Sequence, residues 1–158
     1  RCDANLKFFP MGKEKLAPLY AAAVIVACNK EEAESILGVG ETDMKTLLES
    51  MRALGPNIAL VTDGPNGAYA FDGAAMLKVP MYPDPKPPVN RTGAGDAMTS
   101  TFVAALALGS SLTDALLWGP VNSMSVVQHV GAQKGLLTRA EIERYLANAP
   151  ADYRVEPF

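Results

Sequence analysis

Five prolines fall within residues 80 to 88, at positions 80, 83, 85, 87 and 88, and the chain then runs into Asn90-Arg91-Thr92-Gly93-Ala94-Gly95-Asp96-Ala97-Met98. Proline has no N–H to give a sheet ladder, so this stretch is an extended connection that cannot sit inside a sheet. The pattern beyond it is helical. Met98, Phe102, Ala105 and Leu106 recur at helical spacing and Gly109 supplies a stop. A second helical pattern starts at Leu112 and continues through Val127, with a break or kink at Gly119-Pro120. The last opens with the capping-box pattern Thr138-Arg139-Ala140-Glu141 and carries Ile142, Tyr145 and Leu146.

Before the prolines, strand and helix patterns alternate. Residues 1 to 9 are a short mixed stretch, and residues 13 to 20 read as a helical turn or two interrupted at Pro18. Residues 21 to 28 are continuously apolar, as expected of a strand covered on both faces. Asn29 is placed to cap a helix with an acidic first turn, and Gly38 to end it. Residues 42 to 54 form an amphipathic pattern with Met44, Leu47, Leu48 and Met51 on one face. Residues 58 to 62 are a second buried-type strand that breaks at Asp63-Gly64-Pro65-Asn66-Gly67 and returns at 68 to 71 as a hairpin, and residues 76 to 81 suggest one more strand. The alternation predicts an α/β fold, a mainly parallel sheet flanked by helices.

With 158 residues, 49% of them hydrophobic, the chain can bury an ample core. A net charge of -3, without blocks of like charge, argues against nucleic acid or a membrane surface as partner and for a small molecule. Cys2 and Cys28 show neither disulfide-framework nor zinc-ligand spacing, which fits a reducing cytoplasm. The longest apolar run, residues 19 to 28, is about half of what a membrane span needs. The chain has no signal-peptide pattern and no starting Met, so it is expected to begin inside a longer protein.

Three phosphate-binding devices can be tested against residues 90 to 98. The dinucleotide fingerprint fails, because Gly93-Ala94-Gly95-Asp96-Ala97 is followed by Met98 and preceded by prolines instead of a strand. No Walker A sequence occurs anywhere in the chain. The third device is a helix N-terminus used directly, where small residues let a phosphate approach unpaired N–H groups. A carboxylate there would repel a phosphate unless its task is to take the proton of an attacking hydroxyl. The plainer alternative is that Asp96 caps the helix and the glycines serve a tight turn.

The surrounding sequence favours the phosphate site. Arg91-Thr92-Gly93-Ala94-Gly95-Asp96-Ala97-Met98 resembles the second signature of the ribokinase-like (PfkB) carbohydrate kinase family, D-T-T-G-A-G-D-x-F. CNKEEAESIL at 28 to 37 is similar to the family's N-x-x-E segment, LVTDGPNGAYAF at 60 to 71 to its V-T-x-G-x-x-G nucleotide hairpin, VVQHVGAQ at 126 to 133 to its V-T-x-x-G-A-Q loop, and DANLK at 3 to 7 to its D-x-N-x-R strand. Members of the family are longer, so the resemblance implies that residues 1 to 158 are the C-terminal part of a PfkB-type kinase domain whose N-terminal substrate and lid half is absent.

The resemblance implies roles residue by residue. Asp96 would be the catalytic base, and the amides of Gly93, Ala94 and Gly95 the anion hole. Asn29 and Glu32 would hold Mg2+ through water, and Thr62, Gly64 and Gly67 would lie along ATP. Asn90, Thr92, Val126, His129, Gly131 and Gly135 match positions through which the family often binds a monovalent cation such as K+, largely by carbonyls, with the His129 side chain incidental. Asn90 stands where an Asp is usual, Arg91 where a Thr is, Met98 where a Phe is, and Thr101 where a glycine is frequent. The implied activity is ATP-dependent phosphorylation of a sugar or nucleoside hydroxyl, in a protein that dimerises through the missing lid. The alternatives are a truncated nucleotide-binding module without catalysis, an adenosine-type nucleoside kinase, and a remnant that associates through an apolar face.

Overall fold

The structure is a computed structural model that describes residues 12 to 158. The stretch at 3 to 7 and Cys2 lie outside the described residues. Ile25–Asn29 (β1) and Ile58–Thr62 (β2) are buried apolar runs that pair in parallel, from Ile25 opposite Ile58 to Asn29 opposite Thr62. A parallel pair needs a crossover. Here it is supplied by two helices, Lys30–Leu37 (α2) and Met44–Ala53 (α3). Met44, Leu47, Leu48 and Met51 are all buried, as their spacing predicted. They pack with Val26, Ala59 and Val61 of the strands into one apolar cluster.

Ala68–Phe71 (β3) returns antiparallel to β2 after a short 3-10 turn at Gly64–Asn66. Met76–Val79 (β4) and Glu156–Pro157 (β5) complete a sheet of order β1-β2-β3-β4-β5 among the described residues. The sheet is mixed, because the hairpin adds an antiparallel pair beside the parallel one.

The start of the described chain departs from expectation. Gly12–Ala22 (α1) runs as one helix through Pro18, and residues 21 and 22 belong to it and not to a strand. Proline removes one helical N–H and leaves the carbonyl four residues back without it. Both Pro18 and Glu14 are exposed, so water can satisfy that carbonyl. Alanine is the best helix former, so the helix continues until Ala22 and the strand starts only at the β-branched Ile25.

The chain divides into two compact units. Of the described residues, those up to 64, with 68–78 and 157–158, make the first, which holds α1, α2, α3 and most of the sheet, and residues 65–67 and 79–156 make the second. The second is led by Ala94–Ala107 (α4), Leu112–Val127 (α5) and Arg139–Ala147 (α6). Helices α4 and α5 pack closely. A Cβ added to Gly119 would lie 3.0 Å from Met98 Cε, and Phe102, Ala105 and Leu116 are fully buried. Pro120 is tolerated inside α5, and the Tyr153 hydroxyl donates to Leu117 O at 2.6 Å in that stretch.

The proline-rich connection lies along this unit, pinned by hydrogen bonds that its own backbone cannot make internally. The Tyr82 hydroxyl donates to Tyr145 O at 3.0 Å, and Gln128 Nε2 donates to Lys86 O at 3.1 Å. Val89 N and Asn90 N both donate to Val127 O, at 2.8 and 3.2 Å. The C-terminal end of α5 thus holds the chain at the residue where the glycine turn begins.

Candidate active site

In the first unit, Asn29 and Thr62 are register partners at the carboxyl ends of the parallel strands. Ligands of open α/β sheets bind outside such ends. Asn29 closes the N-terminus of α2 by a reciprocal bond pair: its Oδ1 accepts from Glu32 N at 2.8 Å, and Glu32 Oε2 accepts from Asn29 N at 2.9 Å. Their three-residue spacing therefore already has a structural use, and one Glu32 oxygen is committed to it. Among the described residues no three His, Cys, Asp or Glu side chains converge on a point. A magnesium ion in this unit would take at most one or two carboxylates and otherwise rely on nucleotide phosphates and water, the usual manner of Mg2+.

The two hairpin glycines differ. Gly64, at φ +49, has open space where a Cβ would stand. Gly67 is buried at φ +98, and a Cβ there would fall 2.1 Å from Val79 O. Gly67 is therefore accounted for by the close passage of Val79 and Pro80, while Gly64 leaves its backbone open to an approaching group.

In the second unit the glycine turn begins α4. Asn90 Oδ1 accepts from Thr92 N at 2.7 Å, a local Asx turn that an Asp could make equally. Ala94 N closes on Arg91 O at 3.2 Å, and the first intrahelical bond runs from Ala97 N to Gly93 O at 2.8 Å. Gly93 is the N-cap, in the left-handed region at φ 85, and supplies no side-chain cap. The Gly95 amide therefore precedes the helix's own bonding, at the positive end of its dipole. Gly95 has nothing within 4 Å of its missing Cβ. Asp96 stands in the first turn, so it is not the cap that the plainer reading made it.

The loop after α5 closes on this turn. A Cβ on Gly93 would lie 2.6 Å from Ala132 Cα and 2.7 Å from Ala132 O, a contact carried by the G-A-Q stretch but not visible in its spacing. His129 Nδ1 lies 3.1 Å from Ser125 O, and the Ser125 hydroxyl donates to Gly135 O at 2.7 Å. Gly135, at φ +100, must be glycine, since a Cβ would sit 2.4 Å from His129 Nδ1. His129 thus has a structural partner. Of the cation-site candidates, the Val127 O bonds bring Asn90 to the end of α5, next to Val126 and His129, and Gly131 and Gly135 lie on the loop that succeeds it.

Within the second unit, a helix N-terminus stripped of side chains is a ready place for an anion such as a phosphate. Comparison with known proteins makes the class specific. The chain belongs to the pfkB family of carbohydrate kinases, whose pattern matches residues 7 to 139. It is similar to the ribokinase of Bacillus subtilis (strain 168), 34% identical over 102 residues, covering 65% of this chain and 34% of that protein. Arabidopsis thaliana ribokinase, solved with ribose and ATP, shares the fold at a TM-score of 0.75 and 25% identity, over 82% of this chain and 43% of that one. An Escherichia coli protein assigned as a ribokinase II and solved with ATP and Mg2+ superposes at a TM-score of 0.76 and 21% identity, over 88% of this chain and 44% of that one. The chain therefore spans about a third of the ribokinase and less than half of each solved relative. The fold is ribokinase-like α/β. No helix among the described residues is long and apolar enough to cross a membrane.

Proposed function

We propose that this chain is the C-terminal, nucleotide-binding part of a cytoplasmic, ATP-dependent kinase that phosphorylates a hydroxyl of a sugar or sugar-like molecule. The observation that carries this reading is the start of α4: an N-cap without a side chain, open space beside Gly95, and a carboxylate on the first turn, in a chain of the pfkB family. The acceptor hydroxyl loses its proton to Asp96 as its oxygen bonds to the γ-phosphorus, and the bond from that phosphorus to the β-γ bridging oxygen breaks to release ADP. The amides at Gly93, Ala94 and Gly95 face the charge on the transferring group. Ala94 N must give up its contact with Arg91 O to join them.

Thr62 and Gly64 are the residues proposed to line ATP in the first unit, with Gly67 shaping their turn. Asn29 and Glu32 are proposed to hold Mg2+ through water, using the Glu32 oxygen that the capping box leaves over. The ion supplies neutralisation of phosphate charge when bound. The carbonyls around Asn90, Thr92, Val126, His129, Gly131 and Gly135 are proposed to accept K+, which would brace the glycine turn from the side of α5. Dimerisation through the remaining part of the protein also belongs to this reading.

Thermal unfolding of the chain with and without Mg-ATP tests it. A ligand at about 100 times its dissociation constant adds roughly 2.7 kcal/mol of stability. A clear rise supports a nucleotide site within the chain. A cooperative transition unmoved by Mg-ATP counts against it.

A further inference from the structure

The second unit contains a buried polar junction that the proposed chemistry has not used. Asn122, in the middle of α5, is 5% exposed, and Thr101 on α4 is 6% exposed. Asn122 Nδ2 donates to Thr101 Oγ1 at 2.7 Å, and Asn122 Oδ1 accepts from Leu137 N at 2.9 Å. One amide side chain therefore ties three pieces of chain together: the helix that carries Asp96, its neighbour α5, and the far end of the loop whose Ala132 lies against Gly93. A buried amide side chain is costly unless its groups are paired. Here both ends are paired, and each points to an element of the candidate site.

We propose that Asn122 and Thr101 are positioning residues that hold the start of α4 and the 129–137 loop in register. The proposal rests on reading the α4 N-terminus as the phosphate site. Met98, Phe102 and Leu116 are buried apolar side chains of α4 and α5, and apolar packing alone fixes the register of two helices less uniquely. A hydrogen bond of fixed direction pins it. Leu137 N lies five residues beyond Ala132, so loss of the Asn122 acceptor releases the loop at one end while Ala132 remains wedged on Gly93 at the other. Displacements of about an ångström at a reacting group can cost roughly 100-fold in rate.

Thr101→Val keeps the shape and removes the hydroxyl, and Thr101→Ser restores it. In the intact kinase, Thr101→Val is expected to lower kcat by roughly 10- to 100-fold with KM for ATP nearly unchanged, and Thr101→Ser to recover most of the loss. Amide hydrogen exchange of the same variants gives a readout independent of turnover. Exchange should quicken at Ala97, whose N–H bonds Gly93 O, and at Leu137 in Thr101→Val while the β2 amides stay as protected as before. Unchanged kcat, or a rise in exchange spread evenly over both units, would overturn the positioning role and leave only a stability effect. If the unmodified protein transfers phosphate to no acceptor, the kinase reading fails, and the exchange pattern alone decides the lock: a rise confined to Ala97 and Leu137 sustains it, and an even rise removes it. Should Asn122→Ala fail to fold, the near-isosteric Thr101→Val still carries the test.

Discussion

Helices α2, α3, α5 and α6 begin under a side-chain cap, from Asn29, Asp43, Ser111 and Thr138, whereas α4 begins at a glycine that caps with nothing. A capped end spends its unpaired N–H groups on its own side chains and is more stable for it, by typically about 1 kcal/mol. An uncapped end forgoes that stability. The α4 end is also the one held from outside, by Ala132 against Gly93 and by the Asn90 turn before it. The contrast is between ends finished by local sequence and an end held in shape by distant chain. The second arrangement suits a site that must remain open without collapsing.

The sharpest way to break the comparison is to alter the open end chemically while leaving its shape alone. Asp96→Asn in the intact kinase should lower kcat by roughly 10²- to 10⁴-fold, the usual contribution of a general base, with ATP affinity and melting temperature nearly unchanged. Equal loss of ATP binding, measured by calorimetry, would remove the base assignment. Gly93→Ala alters the shape instead. It forces an alanine to φ 85 and drives its Cβ to 2.6 Å from Ala132 Cα. The left-handed backbone costs about 1–2 kcal/mol and the overlap about 1–3 kcal/mol, so denaturant unfolding should show a large loss of stability beside the loss of activity.

Gly95→Ala separates the two effects. Its Cβ meets nothing within 4 Å and its backbone is helical, so the chain should be more stable by about 0.4–1 kcal/mol. The added methyl would nevertheless stand where a phosphate approaches, and the Mg-ATP-induced rise in melting temperature should shrink. A variant that is more stable yet binds ATP as before would show that the open end is not where the phosphate lies.

The same contrast explains what could be read from the sequence. Two capped ends were legible, because a cap lies within a turn of what it caps: Asn29 as the start of α2 and the Thr138–Glu141 box of α6, while the Asn29–Glu32 pairing and the caps Asp43 and Ser111 were not. So were β2, β3 and the buried face of α3, whose periodicities are local. The path of α1 through Pro18 was hidden, since whether one lost helical bond matters depends on exposure. Strand β5, two residues long and containing a proline, carries no strand signal and exists at the sheet's edge, where Phe158 N reaches Met76 O at 3.0 Å. The glycine turn was legible as a family signature and as the start of a helix. Its supports were not. Gly93 against Ala132 and Thr101 against Asn122 join residues more than twenty positions apart, and no period connects them.

At the finished ends the expected effects are smaller. Thr138→Ala removes a cap whose hydroxyl accepts from Glu141 N, and should cost about 1 kcal/mol in urea unfolding with no change in ATP binding, because α6 carries none of the site.

The smallest effect is one of pH. The Thr46 side chain and backbone hydrogen-bond the Asp43 carboxylate and hold it below its ordinary value of 3.8, and Thr138, through its backbone and then its side chain, holds Glu141 below 4.5. The folded value is depressed in both, so the ionised caps add stability above the unfolded values, and that stability is lost as pH falls through the depressed ones. Stability of α3 and α6 should therefore weaken only below about pH 4, in a titration of unfolding midpoints between about pH 6 and 2. Asp43→Asn caps as well as Asp but cannot titrate, so it should flatten the acid limb for α3 and leave that for α6 in place. An acid limb that Asp43→Asn leaves untouched would mean that α3 is closed by the geometry of its cap and not by its charge, which would bring it a step closer to the glycine start of α4.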